Sequence, residues 1–485
     1  MPMLSLSRRH CMEAYYVGSQ SRTCLRYVYI SSRSLLGHEG LPHGPLFSAA
    51  CQPEPTGQLK TTGQPNPTDR SEGPSRRPGA TRWSPYYLVF AALLMVFSSG
   101  VTLVDRFRSA RECLVEMFPQ RRRPGRSYQG FVKAWRRLMP GMPDALKRHL
   151  RQCHQAIACR FDQRWGWKAF AADGSRVEVP RTAANEEAFG CAGRKKTGPQ
   201  LFLTTLYHMG TGLPWDWTIG RGTESERDHL CAMLASLPTG SLIVADAGFT
   251  GFDLLGEILA HGHSFLIRVG ANVSLLTKLG VEVKQDGDTV WLWPTSKRGQ
   301  SPLKLRLIRL SKRVAGSSST QMCLLTNVSD HRRLSDETAA TFYRMRWGVE
   351  LFYRAYKRTL EQHKLRSHSP HQAKWELQMG MLALLLLGLM SVDGIISTGK
   401  DPLSWSVAGA LRIVRHAMAT SRRWRRSGDV RRLLSDAVRD PYVRRASKRA
   451  RDWPHKKREA PPGVPKIRPA TMTESLAAQR VYVAA

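Results

Sequence analysis

An unbroken apolar run, Leu242 to Ala245, constrains the fold of this chain more than any other feature of its sequence. The run reads LIVA and lacks the polar alternation of a half-exposed strand, which is typical of a strand buried on both faces of a sheet. Helical patterns stand on either side of it, ESERDHLCAMLASL before and GFDLLGEILAHG after. We therefore predict a mixed α/β sheet covered by helices, with Asp246 at the end of its buried strand.

The neighbouring segments extend this sheet. Residues 167–180 predict a strand broken at Asp173-Gly174, and QLFLTTLYHM and LPWDWTIG predict two more strands joined by a Gly-Thr-Gly turn. HSFLIRVG predicts a further strand after the helix that follows Asp246. A three-stranded meander is thus followed by strand–helix–strand alternation. Residues 271–328, with short apolar segments between Gly-containing turns, predict a β-rich insertion.

A long helix is predicted after this insertion, from Asp336 to about His363. Ser335 can cap its N-terminus, and acids at its first two positions suit the positive end of the helix dipole. The segment contains no proline, and Gly348 is its one weak helix former.

The polar residues of this helix share one side. Tyr343, Arg346, Glu350 and Lys357 stand at offsets 0, 3, 7 and 14. At about 100° per residue they fall within roughly a 60° arc. An apolar stripe on another side predicts docking on the sheet; it consists of Met345, Val349, Phe352 and Tyr356. Taken alone, a polar helix face is ordinary, so the arc needs other evidence to indicate function.

Charge indicates the kind of partner. The chain of 485 residues carries 74 Lys and Arg against 38 Asp and Glu, a formal net charge of +36. This excess argues against a small-metabolite enzyme with a neutral surface and favours a polyanionic partner, nucleic acid first and an anionic membrane surface second. Nine scattered cysteines form no CxxC pair, which argues against a zinc ribbon or a disulfide framework and favours a reducing, cytosolic compartment.

Both ends of the chain differ from its centre. Residues 1–85 predict a disordered extension, because residues 41–85 are rich in Pro, Gly, Ser, Thr and Gln. The uncharged residues 86–104 just reach the length of a bilayer span; a buried helix and a mis-assigned upstream sequence are the alternatives. Residues 105–160 predict basic helices that either contact DNA or are simply solvated. Residues 401–485 predict a basic C-terminal region, again disordered, that contacts DNA or forms a solvated tail.

Three acids meet in the predicted fold. Asp173 falls within one strand, Asp246 ends another, and Glu350 lies on a helix that can pack across them. Carboxylates brought together repel one another unless cations lie between them, and hard oxygen ligands favour Mg²⁺ or Mn²⁺. Two such ions can activate a water or a 3′-hydroxyl in phosphodiester chemistry. The alternatives are a turn aspartate before Gly174 and a capping aspartate at the strand end.

These motifs together resemble the DDE transposases of the insertion-sequence-four (IS4) family. The two aspartate motifs are AADGSRV and VADAGF, followed by the strand FLIRVG. The Y-x2-R-x3-E-x6-K signature of that family is present without a gap, as Tyr343, Arg346, Glu350 and Lys357. The resemblance covers about residues 165–400. It implies an RNase H-like catalytic core over residues 161–400, with a β-rich insertion before the final glutamate.

The resemblance implies a chemistry for this core. Asp173, Asp246 and Glu350 would bind two Mg²⁺ or Mn²⁺ ions. Water would attack the phosphodiester at an end of the element, and the freed 3′-hydroxyl would attack the opposite strand or target DNA. The expected partners are the terminal inverted repeats, the target DNA and a second copy of the chain, in the bacterial cytoplasm at the nucleoid.

The resemblance also implies contacts to DNA. Tyr343, Arg346 and Lys357 would touch terminal phosphates and stabilise distorted DNA, and Trp347 would stack on a base unless it only packs. A basic run between the first two strands contacts DNA near Asp173 or is a solvated loop; its residues are Arg194, Lys195 and Lys196.

Two other functions compete with this one. The first is a DNA-binding relic of a transposase that no longer cuts, which the intact acids and signature disfavour. The second, weaker one is a membrane-tethered basic protein, which rests on residues 86–104 alone.

Overall fold

The computed structural model describes eight stretches of the chain. They are residues 83–119, 122–161, 166–192, 198–281, 287–312, 320–420, 428–440 and 463–484. Most of the N-terminal extension predicted at residues 1–85 lies outside them, as do Arg194, Lys195 and Lys196.

One ten-stranded sheet organises the described residues. Its order is β10-β6-β7-β8-β9-β5-β4-β1-β2-β3. The bounds are β1 Ala169–Glu178, β2 Gln200–His208, β3 Leu213–Arg221, β4 Leu242–Ala245, β5 Ser264–Val269, β6 Ser274–Thr277, β7 Thr289–Leu292, β8 Leu303–Lys312, β9 Thr320–Thr326 and β10 Lys466–Pro469. β1, β2 and β3 form an antiparallel meander, whereas β1, β4 and β5 run parallel. This RNase H-like arrangement confirms the predicted fold class.

The apolar run Leu242 to Ala245 forms an interior strand of the sheet, as predicted. Leu242 to Ala245 form β4, and all four side chains are fully buried between β1 and β5. Helices α6 (Glu226–Met233) and α7 (Phe252–Ala260) stand before and after it, as the helical patterns predicted.

The β-rich insertion continues the sheet instead of standing apart from it. β9 pairs antiparallel with β5, and β8, β7 and β6 follow outward. The C-terminal strand β10 then pairs parallel with β6 and forms the edge. Segments distant in sequence therefore share one layer.

The predicted break in β1 is wrong. Asp173 and Gly174 pair with Thr205 and Thr204 of β2, within a register that runs from one end of β1 to the other. A Cβ on Gly174 would lie 2.7 Å from the ring of Phe202. The glycine therefore permits close packing inside a strand and does not mark a turn.

The predicted helix from 336 to about 363 is divided. α8 (Asp336–Met345) and α9 (Trp347–Arg354) meet at Arg346, and a π-helical turn, Ala355–Thr359, follows. The helix ends at Leu360, because Glu361 adopts a φ of 59°. Single π turns of this kind are frequent at functional sites.

Helices surround the sheet. Before β1 come α1 Pro85–Phe97, α2 Leu103–Met117, α3 Tyr128–Leu138 and α4 Met142–Ala158; α5 Ala183–Phe189 lies between β1 and β2. The last four are α10 Pro370–Ser397, α11 Val407–Ala419, α12 Gly428–Ser435 and α13 Met472–Ala484. The prediction of a disordered C-terminal end is thus wrong for residues 402–420, 428–440 and 463–484. Buried apolar residues such as Leu411 and Leu434 anchor α11 and α12.

The 28-residue helix α10 contacts more than one helix of this layer and holds the layer together. It packs against α1, α4, α11 and α12. Among the described residues, α10 alone has the length and apolar composition of a membrane-crossing helix, and 83% of its most apolar 18-residue window is buried inside the protein. α1, which covers most of the apolar segment 86–104, is also buried along its length. Burial of α1 supports the core-helix interpretation of residues 86–104.

The basic helices before β1 are joined to the sheet by charge. Lys147 and Arg151 of α4 both pair with Asp216 of β3, whose side chain is only 7% exposed. Such a nearly buried carboxylate needs both cations to offset its desolvation.

Close packing at α10 generates a prediction. A Cβ on Gly388 would meet the Leu213 side chain and lie 3.1 Å from the Trp405 ring. Gly388→Ala should therefore lower the free energy of unfolding by about 1–3 kcal/mol, measured by urea denaturation. The matched control is Gly256→Ala in α7, where a Cβ meets nothing within 4 Å. That control should gain up to about 1 kcal/mol, and equal changes in both variants would refute the packing explanation.

Candidate active site

The structure brings two of the predicted acids to neighbouring strands. β1 and β4 pair in parallel, with Ala171 opposite Val244. Two residues beyond this pair, Asp173 lies within β1 and Asp246 directly follows β4, so continuing the same register sets the two acids side by side where β4 ends. Asp246 also accepts a hydrogen bond from the Gly248 N–H at 2.8 Å, which holds its carboxylate at the start of a tight turn.

Glu350 approaches from α9, which packs on β1. Val349, Phe352 and Tyr353 of this helix are buried, so the apolar stripe docks as predicted and the glutamate faces the strand edge. The carboxylate of Glu350 accepts a hydrogen bond from Arg346 Nη2 at 3.2 Å. The Arg346 guanidinium in turn lies 5.5 Å from the centre of the Tyr343 ring.

The electrostatics of Asp173 link all of these groups. Burial, as the largest cause, raises the pKa of Asp173 to about 7. Arg346 opposes this rise, whereas the negative charges of Asp246 and Glu350 add to it. Asp246, Glu350 and Arg346 therefore each lie close enough to influence the protonation of Asp173.

Two hydrogen bonds tie the glutamate's helix to the aspartate's strand. The hydroxyl of Tyr353 donates to the Asp173 carbonyl at 2.8 Å, with the Leu203 carbonyl 3.2 Å away. The ammonium of Lys357 donates to Ser175 Oγ at 2.8 Å. Burial lowers the pKa of Lys357, although Glu178 and Asp173 partly restore it. The structure thus brings Arg346, Glu350 and Lys357 beside β1, with Tyr343 next to Arg346 and Lys357 on the π turn.

Trp347 differs from the other residues of this group. Its side chain is 51% exposed, on the turn that also carries Arg346 and Glu350. A half-exposed tryptophan beside a charged site is available for stacking on a base, and stacking and simple packing both stay predictions for this ring.

A fourth carboxylate, Glu226, escaped the sequence analysis. One of its oxygens lies 2.8 Å from the place of a Cβ on Gly174, and the other 2.5 Å from that of a Cβ on Gly248. Burial and, second, the charge of Asp246 raise the pKa of Glu226. The only signal was its place in the first turn of the helix after the meander, which also suits an ordinary N-terminal acid.

The donor chemistry of this site fits a hard divalent cation, because all of its candidate ligands are carboxylate oxygens that repel one another. Their present arrangement does not close around an ion. Over the described ranges, no group of three or more Asp, Glu, His or Cys side chains stands close enough to hold a metal. Glu350 is instead engaged by Arg346.

Comparison with known proteins shows that the sequence of this core is similar to transposases. The family described as "Transposase DDE domain" matches residues 165–386, and proteins of that family generally use divalent metal ions. A curated relative, "Transposase InsG for insertion sequence element IS4" of Escherichia coli (strain K12), is 26% identical over 240 residues. The match covers 46% of this chain and 52% of the relative, so the chain spans about half the length of that protein.

Solved structures give weaker similarities. A piggyBac transposase synaptic complex with hairpin DNA matches with a TM-score of 0.37 at 12% identity, over 78% of this chain and 82% of the other. A Mos1 transposase paired-end complex matches with a TM-score of 0.16 at 10% identity, over 41% and 61%. These values are too low to define a fold, which rests here on the strand order.

The raised pKa of Asp173 predicts a pH-dependent stability. The folded protein binds this proton more tightly than the unfolded chain, whose carboxyl titrates near 3.8. Stability therefore falls as the pH rises from about 4 through 7. In metal-free buffer, Asp173→Asn should be more stable than the unsubstituted protein at pH 8, by about 1–4 kcal/mol, and should match it near pH 3.5. Urea denaturation at both pH values measures this, and an equal difference at both would contradict it.

Proposed function

Because residues 165–386 are a transposase DDE domain of the IS4 type, we propose that the whole protein is the transposase of an IS4-type insertion sequence. It binds the ends of the element and catalyses metal-dependent strand cleavage and strand transfer. The observation that carries this proposal is the packing of α9, with the intact signature, against the strand that holds Asp173.

The proposed metal ligands are Asp173, Asp246 and Glu350, with Mg²⁺ or Mn²⁺ as the cation and two ions per site. When bound, such ions activate the attacking water or 3′-hydroxyl and stabilise the leaving oxygen. The protein's own part is to hold the acids on rigid elements, one within a paired strand, one at a capped turn and one on a docked helix.

The cations beside the acids are proposed to hold DNA. Tyr343, Arg346 and Lys357 would contact phosphates at the element's end, and Trp347 would stack on a base displaced from the duplex. A phosphate that takes Arg346 would replace a carboxylate by another anion and so release Glu350 from its present partner. The run Arg194, Lys195 and Lys196 remains a proposed DNA contact outside the described residues.

A wider basic surface supports DNA binding. The helices before β1 and the connection before α3 expose many cations; they include Arg108, Arg126, Lys133, Arg136, Arg137 and Arg148. We propose that these helices contact the terminal inverted repeat or the target DNA through phosphates. A homodimer that bridges two ends, acting at the nucleoid in the bacterial cytoplasm, completes the proposal.

Loss of either acid provides the direct test. Asp246→Asn and Glu350→Gln should each reduce Mg²⁺-dependent cleavage to background, because each removes a charged ligand without changing the shape of the side chain. The substrate is a duplex that carries the inverted repeat bracketing the coding sequence, and products are resolved on denaturing gels.

Two controls make this test specific. Glu257→Gln, on the exposed side of α7, should leave cleavage unchanged. Binding of the same duplex, measured by gel shift, should survive in both active-site variants. A full-length protein that binds the repeat but never cuts it would instead identify a DNA-binding relic, and one that fractionates with membranes would identify a membrane-tethered protein.

Salt should control the affinity for DNA. With a net charge of +36, the protein is expected to neutralise several phosphates and release their counterions. Between 50 and 200 mM KCl, the affinity for a repeat-bearing duplex should fall by roughly 10³-fold or more. Fluorescence anisotropy measures this dependence, and a flat response would contradict the proposed phosphate contacts.

A further inference from the structure

Two buried tyrosines on the same helical segment point in different directions. The Tyr353 hydroxyl faces the sheet, where it donates to the Asp173 carbonyl and lies 3.2 Å from the Leu203 carbonyl. Tyr356, fully buried, directs its hydroxyl to the Leu377 carbonyl of α10, 3.5 Å away. One hydroxyl thus faces the candidate active site, and the other faces the supporting helix.

The Tyr353 bond connects the two halves of the site by a short path. Its acceptor is the backbone carbonyl of Asp173 itself. Its donor lies three residues after Glu350, which is less than one helical turn. A change in the length of this bond therefore changes the distance between the two acids directly.

Burial makes this contact stiffer than its neighbour. Tyr353 is 5% exposed, and burial raises its pKa well above the ordinary range, so the hydroxyl keeps its proton as a donor. The Lys357–Ser175 bond, by contrast, depends on a flexible side chain. Gly348 adds to the close fit, since a Cβ there would lie 2.9 Å from the ring of Tyr207.

We propose that Tyr353 is a positioning residue of the active site, whose hydroxyl sets the spacing between Glu350 and Asp173 and thereby the affinity of the acids for a divalent cation. The inference rests on the proposed function, in which these acids are the metal ligands. A displacement of about 1 Å in such a site can cost on the order of 10²-fold in rate.

Tyr353→Phe tests this, with Tyr356→Phe as the matched control. Both variants lose one buried hydroxyl from the same segment and keep the ring, so each should lower the melting temperature by only a small amount, slightly more for Tyr353→Phe because its bond is shorter. Only Tyr353→Phe should weaken Mn²⁺ binding by the full-length protein without DNA, by about 10-fold, in calorimetric titration. The Mg²⁺ concentration for half-maximal cleavage should rise by a similar factor, whereas binding of the repeat duplex should change less than twofold.

A double-mutant cycle separates positioning from general loosening. If Tyr353 acts through Glu350, then Tyr353→Phe should have no further effect on Mn²⁺ affinity in a Glu350→Gln background. Equal metal affinities for Tyr353→Phe and Tyr356→Phe, or a full effect in the Glu350→Gln background, would overturn the inference. If Glu350→Gln alone leaves Mn²⁺ binding unchanged, the proposed ligand set fails instead, so the two failures are distinguishable.

Discussion

The contact between α9 and β1 is the constraint on which the rest of the structure depends. Asp173 and Asp246 are neighbours because two adjacent strands are parallel, which the sheet alone determines. Glu350 belongs to a separate layer and can join them only if its helix docks in one register. Buried Val349 and Phe352 supply the driving force for docking, and the Tyr353 hydroxyl fixes the register at the aspartate's own carbonyl.

The site carries an electrostatic cost that the fold has to offset. Asp173 is largely buried beside two other acids, and its raised pKa records the unfavourable free energy of its charge. Arg346 offsets part of this cost and is itself 11% exposed, so its charge acts with little screening. Stability given up in this way at a polar cluster is typical of functional sites in otherwise consistent folds.

The sequence predicted the elements correctly where a local pattern of residues has a single physical cause. The LIVA run, the meander and the apolar stripe of α9 each follow from burial, and the spacing of the signature identified the site's residues. It failed where a second segment decides the outcome. Gly174 resembles a turn residue until Phe202 is known to pack on it. The π turn at Lys357 and the contact of Tyr353 depend on what lies opposite them, so helical periodicity alone places neither.

A glycine near each predicted acid shows how contacts with a distant segment shape the site. Gly174 follows Asp173, Gly248 lies two residues after Asp246, and Gly348 lies two residues before Glu350. At each of them a Cβ would come within 3.0 Å of a neighbouring side chain, from Phe202, Glu226 and Tyr207 respectively. Gly174 and Gly348 therefore let β1 and α9 pack closely against aromatic side chains of β2, and Gly248 leaves room for the Glu226 carboxylate beside Asp246. Compactness, and not only the presence of carboxylates, is what this sequence specifies at the site.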